Sequence, residues 1–348
     1  MTIQLDMTNK GVPWHWWLSL KGLTANRAIW PFVALLLILL VDSVISTGFF
    51  HVRIVEGRLY GSLIDIFYRG TPTALVALGM AVVIGTGGID ISVGAVVAIC
   101  GAVMTDLIHR GMVPPEVLLL TLAVGLVCGV WNGIVVAYFE IPPMIATLIL
   151  MVAGRGIAQM IDTGMIITFR SDFFSAISTG QFLTVPSRVL VAVGLFAVLW
   201  LVLRRTALGL FIEAVGGNAA ASDLVGIAAR RIKVAAYAIS GLCAAAAGVL
   251  ITADIRGSDA NNAGLWIELD AILAAVLGGA NMAGGRVYLG MTIVGVLIIQ
   301  SLTTSILMSG VPPEYNLIVK AAVVVLVLLL QARRVRGAFV SLFGGKKS

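Results

Sequence analysis

The stretch RRTALGLFIEAVGGNAAASDLVGIAARRIK, Arg204–Lys233, separates two long apolar runs and is neither strongly apolar nor short. Arg204 and Arg205 open it, and Arg230, Arg231 and Lys233 close it. Between them lie Glu213, Gly216, Gly217, Asn218, Asp223 and Gly226. A membrane protein through which a solute merely diffuses needs no structured polar segment at such a place. One driven by a soluble motor needs a surface for that motor to grip. Residues 204–233 are read as that coupling loop, and the rest of the chain as the membrane body that it moves.

Composition supports the membrane body. The chain has 348 residues, 59% hydrophobic and 11% charged, with a mean hydropathy of +1.05. A soluble domain is roughly 45–50% apolar and about 25% charged, so this chain is a polytopic membrane protein, and its length does not count soluble domains. The net charge of +6 comes from basic residues at the ends of apolar runs, without an aromatic-interleaved patch, and does not point to nucleic acid. Cys100, Cys128 and Cys243 all lie inside apolar runs; an odd count without short spacing offers neither a metal site nor a disulfide framework. The polar start and the first apolar run near Ile29 suggest an uncleaved anchor rather than a signal peptide.

Spans of about 20 apolar residues cross a bilayer core. Ten are expected: Ile29–Ile45, Thr71–Gly87, Ile91–Ile108, Val117–Phe139, Met144–Ile161, Val189–Leu203, Val234–Thr252, Leu265–Gly279, Val287–Met308 and Tyr315–Leu330. The fold class is therefore all-α, a polytopic helical bundle occupying 28–332. A segment 1–27 precedes it, with Trp14, Trp16 and Trp17 suited to an interfacial helix or a tail, and a basic tail 333–348 follows. With ten spans both termini share a side, and that side carries 14 Lys and Arg against 7 on the other. Lys and Arg favour the cytoplasm, which puts both termini and the 204–233 loop there. The outer loop, about 162–188, carries Phe169, Phe173, Phe174 and Phe182 and is either a docking surface or an ordered cap. Gly125, Gly129 and Gly133 recur every four residues in the fourth span, a spacing that lets helix backbones approach closely.

Ionisable groups within spans are expensive and tend to face a partner or a cavity. Asp90 sits in GTGGIDISVGA, Gly85–Ala95. Gly87 and Gly88 can end one helix, and Asp90 or Ser92 can cap the next. This reads as a helix break on a translocation path or as a tight turn with an N-cap. Arg155, between Gly154 and Gly156, needs a carboxylate or carbonyl partner and reads first as a structural ion pair. Glu268 and Asp270 are two residues apart and so do not share a helix face; Lys320 is a candidate partner for one of them. Asn132 and Thr147 suit helix-to-helix hydrogen bonding. Together Asp90, Ser92, Asn132, Thr147, Arg155, Glu268 and Asp270 are the candidates for the path.

The chain lacks a G-x-x-x-x-G-K-[ST] phosphate loop, an H-E-x-x-H pair and a G-x-S-x-G elbow. A membrane enzyme has no catalytic constellation to stand on, no metal or cofactor is expected, and ATP hydrolysis would belong to another subunit. An ion-coupled secondary transporter, with Asp90, Arg155, Glu268 and Asp270 as a relay, is the alternative.

Several stretches resemble the permease subunits of bacterial ABC sugar importers of the ribose/xylose/galactose group: TGGIDISVGA (Thr86–Ala95), WNGIVVAYFEIPPMIATLILMVAGRG (Trp131–Gly156), TALGLFIEAVGGNAAASDLVGI (Thr206–Ile227) and ELDAILAAVLGGANMAGGR (Glu268–Arg286). They stand in the family's order and cover most of Thr71–Leu330. Ala253–Ile272 and Gly57–Ile66 look most like the galactofuranose importers of that group. The resemblance implies a pore of two permeases, alike or paralogous, cytoplasmic ATPase subunits below and a periplasmic sugar-binding protein above. It maps the coupling segment onto Glu213–Ile227, with Ala219 where a Pro is common. On this reading Glu213→Arg or Gly216→Trp abolishes uptake while folding and insertion survive.

Overall fold

The structure is a computed structural model, and it describes residues 29–45, 48–55, 58–182, 184–310, 312, 315, 317–322 and 325. The N-terminal segment 1–27, the basic tail and half of the tenth expected span lie outside these residues. Helix α1 spans Ile29–Ile45, α2 Ser62–Gly85, α3 Val93–His109, α4 Pro114–Ala137 and α5 Pro143–Ile161. After a short helix α6, Asp172–Ser178, come α7 Ser187–Arg205, α8 Ala207–Gly217, α9 Ala219–Leu224, α10 Ala229–Ile255, α11 Ile267–Leu277 and α12 Leu289–Met308. The chain is thus a helical bundle. Among the described residues six helices are long and apolar enough to cross a membrane: α2, α4, α5, α7, α10 and α12.

Packing fixes the direction of each helix. Tyr68 meets Asp254 and Gly79 packs on Cys243, so α2 and α10 are antiparallel. Gly101 meets Thr252 and Gly248 meets Val97, so α3 runs parallel to α10. The glycine ladder of α4 seats Gly125 on Ala245, Gly129 on Tyr237 and Gly133 on Val234, so α4 descends beside α10. Lipid tails are as apolar as leucine, and close van der Waals contact is what holds such helices together; the ladder supplies it as the four-residue spacing predicts.

Two helices stop short. Helix α3 begins beside the middle of α10, after a seven-residue return from the end of α2. Helix α11, expected as the eighth span, has 11 residues and so rises only about 16 Å, roughly half of a bilayer core of about 30 Å. Residues 256–266 precede it as turns and a short bridge rather than helix, because Gly257, Gly264 and the polar run Asp259–Asn262 break the apolar pattern. Helix α11 packs antiparallel to α12, with Gly295 against Ala274 and Gly278 against Met291. The chain therefore runs up, down, up, down, up through α1–α5, with α3 a 17-residue helix, about 25 Å long, that starts late. It then runs down, up, half down, up through α7, α10, α11 and α12. The second sense is the inverse of the first.

At the end where α10 finishes, strand Ile167–Thr168 pairs with Gly257–Ser258. Phe169 and Phe174 are buried, whereas Phe173 and Phe182 are exposed; half of the aromatic loop is an ordered cap. Arg188, itself buried, pairs with Asp254 at 3.2 Å and stacks over Tyr68, tying α2, α7 and α10 together there.

Replacing Gly129 by Ala puts a methyl group against the Tyr237 carbonyl. Overpacking of this kind costs about 2 kcal/mol, and the expected outcome is a lower midpoint in SDS titration of the purified protein. An unchanged midpoint would mean that the α4–α10 contact is loose.

Candidate functional site

The 204–233 segment folds as a two-helix tab. Thr206 caps α8, its Oγ1 accepting from the Leu208 N–H, and Asn218 caps α9, its Oδ1 accepting from the Ala221 N–H at 3.0 Å. Ala219 is the first residue of α9, a position where proline and alanine both fit, so the missing proline leaves the helix start intact. Asp223 reaches back to accept the Ala229 N–H at 2.9 Å, one of the orphan donors at the start of α10. Gly226 has φ +86°, the left-handed conformation that glycine adopts without strain, and turns the chain toward α10.

The tab rests on a floor made by two distant glycine turns. A Cβ on Gly216 would overlap the Gly85 carbonyl and the Gly285 N–H, which are themselves hydrogen-bonded to each other at 3.0 Å. Glu213 Oε1 accepts the Val287 N–H at 3.2 Å, and Arg204 donates to the Val287 carbonyl at 3.1 Å. The tab therefore touches the end of α2, just before the return to α3, and the 278–288 loop that follows α11. Glu213 and Gly216 are scaffolding, and this revises one expectation: Gly216→Trp disturbs folding, because the position has no room for any side chain. Gly217 has open space around it. What the tab presents outward is α9 and its turn, where Leu224 is 89% exposed and Val225 is 75% exposed. Neither stood out in the sequence, since an apolar pair beside a polar loop looks like ordinary core.

The Asp90 region is a buried hydrogen-bonded knot in which Asn132 Oδ1 is left unpaired among the described residues. Asp90 is 2% exposed; Oδ1 accepts from Ser92 Oγ at 2.6 Å and from the Ser92 N–H at 3.1 Å, and Oδ2 accepts from Ser240 Oγ at 2.8 Å. Asn132 Nδ2 donates to Ser92 Oγ at 2.7 Å and to Asp90 at 3.4 Å. The return between α2 and α3 is thereby clamped to α4 and α10. Tyr237, buried in α10, donates to the Ile89 carbonyl. Neither Tyr237 nor Ser240 carried a sequence signal, because a lone hydroxyl in an Ala-rich span is common. Thr147 bonds the Pro143 carbonyl of its own helix at 2.9 Å and reaches the Ile89 carbonyl at 3.4 Å.

Arg155 takes carbonyls as its partners, donating from Nη1 to Ala260 at 3.0 Å and to Ala263 at 2.7 Å, so the expected ion pair is replaced by a clamp on the 256–266 turns. Lys320 pairs with Asp270 at 2.9 Å, the partnership that the spacing left open. Glu268 faces the other way, 3% exposed and against Gly94. A further buried acid, Asp42 in α1, receives a hydrogen bond from Ser305 of α12; its place inside the first apolar run was legible in the sequence. Among the described residues no group of three or more His, Cys, Asp or Glu is placed to hold a metal.

Comparison with known proteins places this bundle. The family described as branched-chain amino acid transport system / permease component matches residues 62–328. The chain is 52% identical to the galactofuranose transporter permease protein YtfT of Escherichia coli K12 over 328 residues, 93% of this chain and 95% of that one. It is 35% identical to a fructose import permease of Bifidobacterium longum, over 90% of both chains. With the ribose import permease of E. coli K12 it shares 34% identity over 87% of this chain and 92% of that one. No solved structure matches. The chain belongs to this permease family, in the group of bacterial ABC sugar-import permeases, and is a multi-pass protein of the inner membrane.

Two outcomes follow from the geometry. Asp90→Ala strands the hydroxyl protons of Ser92 and Ser240, while Asn132 keeps its bond to Ser92 Oγ; a buried unsatisfied group costs about 1–3 kcal/mol, so a loss of about 3 kcal/mol is expected in SDS titration, and a loss under about 1 kcal/mol would contradict the knot. Gly216→Ala lowers the same midpoint and uptake together, while Gly217→Ala changes neither; equal behaviour of the two would contradict the tab-on-floor packing.

Proposed function

We propose that the chain is the translocating subunit of an ATP-binding-cassette importer that carries a sugar, galactofuranose or a related monosaccharide, across the inner membrane. A separate cytoplasmic ATPase subunit grips the tab, a periplasmic sugar-binding protein delivers the solute, and a second permease, identical or paralogous, completes the pore in the bilayer. Ten spans with both termini and the tab in the cytoplasm satisfy this arrangement. The expected tenth span, Tyr315–Leu330, would supply the last descent, and α3 and α11 would supply the third and eighth crossings as short helices joined to irregular returns. No nucleic acid enters the cycle.

The observation that carries the reading is the exposed apolar pair Leu224–Val225 on a capped two-helix tab. An isolated six-residue helix is unstable in water, and two large apolar side chains at its tip favour a partner's groove. The tab also leans on the end of α2, which leads into α3, and on the loop that leaves α11. ATP binding that draws two such tabs together would move the ends of α2 and α12, and with them α3 and α11, which is the rigid-body route to alternating access. The path candidates Asp90, Ser92, Asn132 and Thr147 then hold the returning chain in shape, and Arg155 holds the 256–266 turns. An ion relay is disfavoured by the saturation of Asp90 and by the pairing of Asp270 with Lys320.

Leu224→Asp combined with Val225→Asp is expected to remove ATPase co-purification and lower ATP-driven sugar uptake into vesicles at least tenfold, with the permease's own thermal stability unchanged. Uptake at the parent rate would refute the grip.

A further inference from the structure

The two half-helices meet at their N-termini. The first turn of α3 and the turn before α11 are in contact through Gly94 and Gly264, whose backbones approach too closely for either to carry a Cβ. A helix N-terminus exposes N–H groups and the positive end of its dipole. Neither helix has a side-chain cap at this end. Into the junction projects Glu268, 97% buried, with Oε2 beside Gly94 and without a hydrogen-bond partner among the described residues. A buried polar atom left unpaired in a native fold calls for an explanation. Arg155 acts on this carboxylate electrostatically, but the hydrogen bonds it makes go to the Ala260 and Ala263 carbonyls.

Two of the seven path candidates leave a buried side-chain oxygen unpaired among the described residues, Asn132 Oδ1 and Glu268 Oε2, and Glu268 is the carboxylate of the two. Asp90 is saturated by four hydrogen bonds, and Asp270 is held by Lys320. The free oxygen and the uncapped N–H groups of α3 form an acceptor beside donors. A hydroxyl has the matching pair, a proton to give and lone pairs to receive. An anion would be repelled by the carboxylate, and a purely apolar solute would leave both sides unpaired.

We propose that Glu268, at the crossing of α3 and α11, is the residue that binds the translocated solute, accepting a hydrogen bond from one hydroxyl of a neutral polyhydroxylated molecule when the half-helices part. The inference rests on the importer reading above and adds the contact residue to it. In the closed junction Gly94 leaves room for the carboxylate; separation of the two turns opens the same room to the solute, so the permease itself reads one hydroxyl after the binding protein has let go.

The test uses the complete system in vesicles, permease with ATPase and binding protein, and compares ATP-driven uptake of the monosaccharide with that of its mono-deoxy analogues. The binding protein is common to all samples, so any change in the ratio between permease variants arises in the permease. Glu268→Ala is expected to lower uptake of the parent sugar at least tenfold and to abolish discrimination against one particular deoxy analogue, with Glu268→Gln intermediate. Discrimination unchanged in Glu268→Ala would overturn the proposal. If Glu268→Ala does not accumulate, a second measurement uses the parent complex: a hydrophobic carbodiimide modifies buried carboxyls, and the peptide carrying Glu268 is followed by mass spectrometry. Transported sugar is expected to slow that modification several-fold during turnover with ATP, and an unchanged rate would overturn the proposal. ATPase that fails to co-purify with the parent permease would instead defeat the importer reading.

Discussion

Backbone meets backbone where Gly216 of α8 lies on the Gly85 carbonyl and the Gly285 N–H. Three segments that are far apart in sequence converge there without a side chain between them. Close-packed interiors transmit displacement because they have no slack. A soft, side-chain-filled joint would absorb a push from below; in the proposed cycle this one would pass it to the end of α2 and to the loop before α12. The Glu213–Val287 and Arg204–Val287 hydrogen bonds keep the tab in register on that joint.

Above the joint, each of the two turns it touches leads to or from a half-helix, and each half-helix starts next to a buried acid. Asp90 precedes α3, and Glu268 opens α11. The echo extends to their neighbours, Ile89-Asp90-Ile91-Ser92 and Ile267-Glu268-Leu269-Asp270, in arms of opposite direction. Irregular backbone is tolerated at membrane depth where it is buried in protein or lines a cavity, and transporters built from inverted repeats place it at their solute sites. The two acids have diverged in use. One is tied by the hydroxyl of Ser92 within its own return, that of Ser240 in α10 and the amide of Asn132 in α4, and the other keeps an oxygen without a hydrogen-bond partner among the described residues.

Much of this was readable before any coordinates. The class followed from hydropathy alone, and the glycine ladder of α4 named a contact that exists. GTGGIDISVGA announced a break at Asp90, and Lys320 was expected to pair with Glu268 or Asp270, of which the structure selects Asp270. What escaped has a common cause. Glycines that keep backbones in contact look identical to glycines in open turns, so Gly216 and Gly217 were indistinguishable although one is wedged and the other free. The shortness of α11 is set by what the 256–266 turns pack against, including the Arg155 clamp, and an apolar run of suitable length hides it. Arg155 itself looked like an ion-pair member because carbonyls carry no letter in a sequence. Leu224 and Val225 were overlooked because exposure is a tertiary property.

All of these relations need the tab to face the compartment where ATP is made available. Cysteine substituted at Ala220, on α9, reports this directly in a background freed of Cys100, Cys128 and Cys243. A membrane-impermeant maleimide should label it in inside-out vesicles and leave it untouched in intact cells, and bound ATPase should shield it. Labelling from the cell exterior alone would contradict the account, since no cytoplasmic motor could then reach the tab.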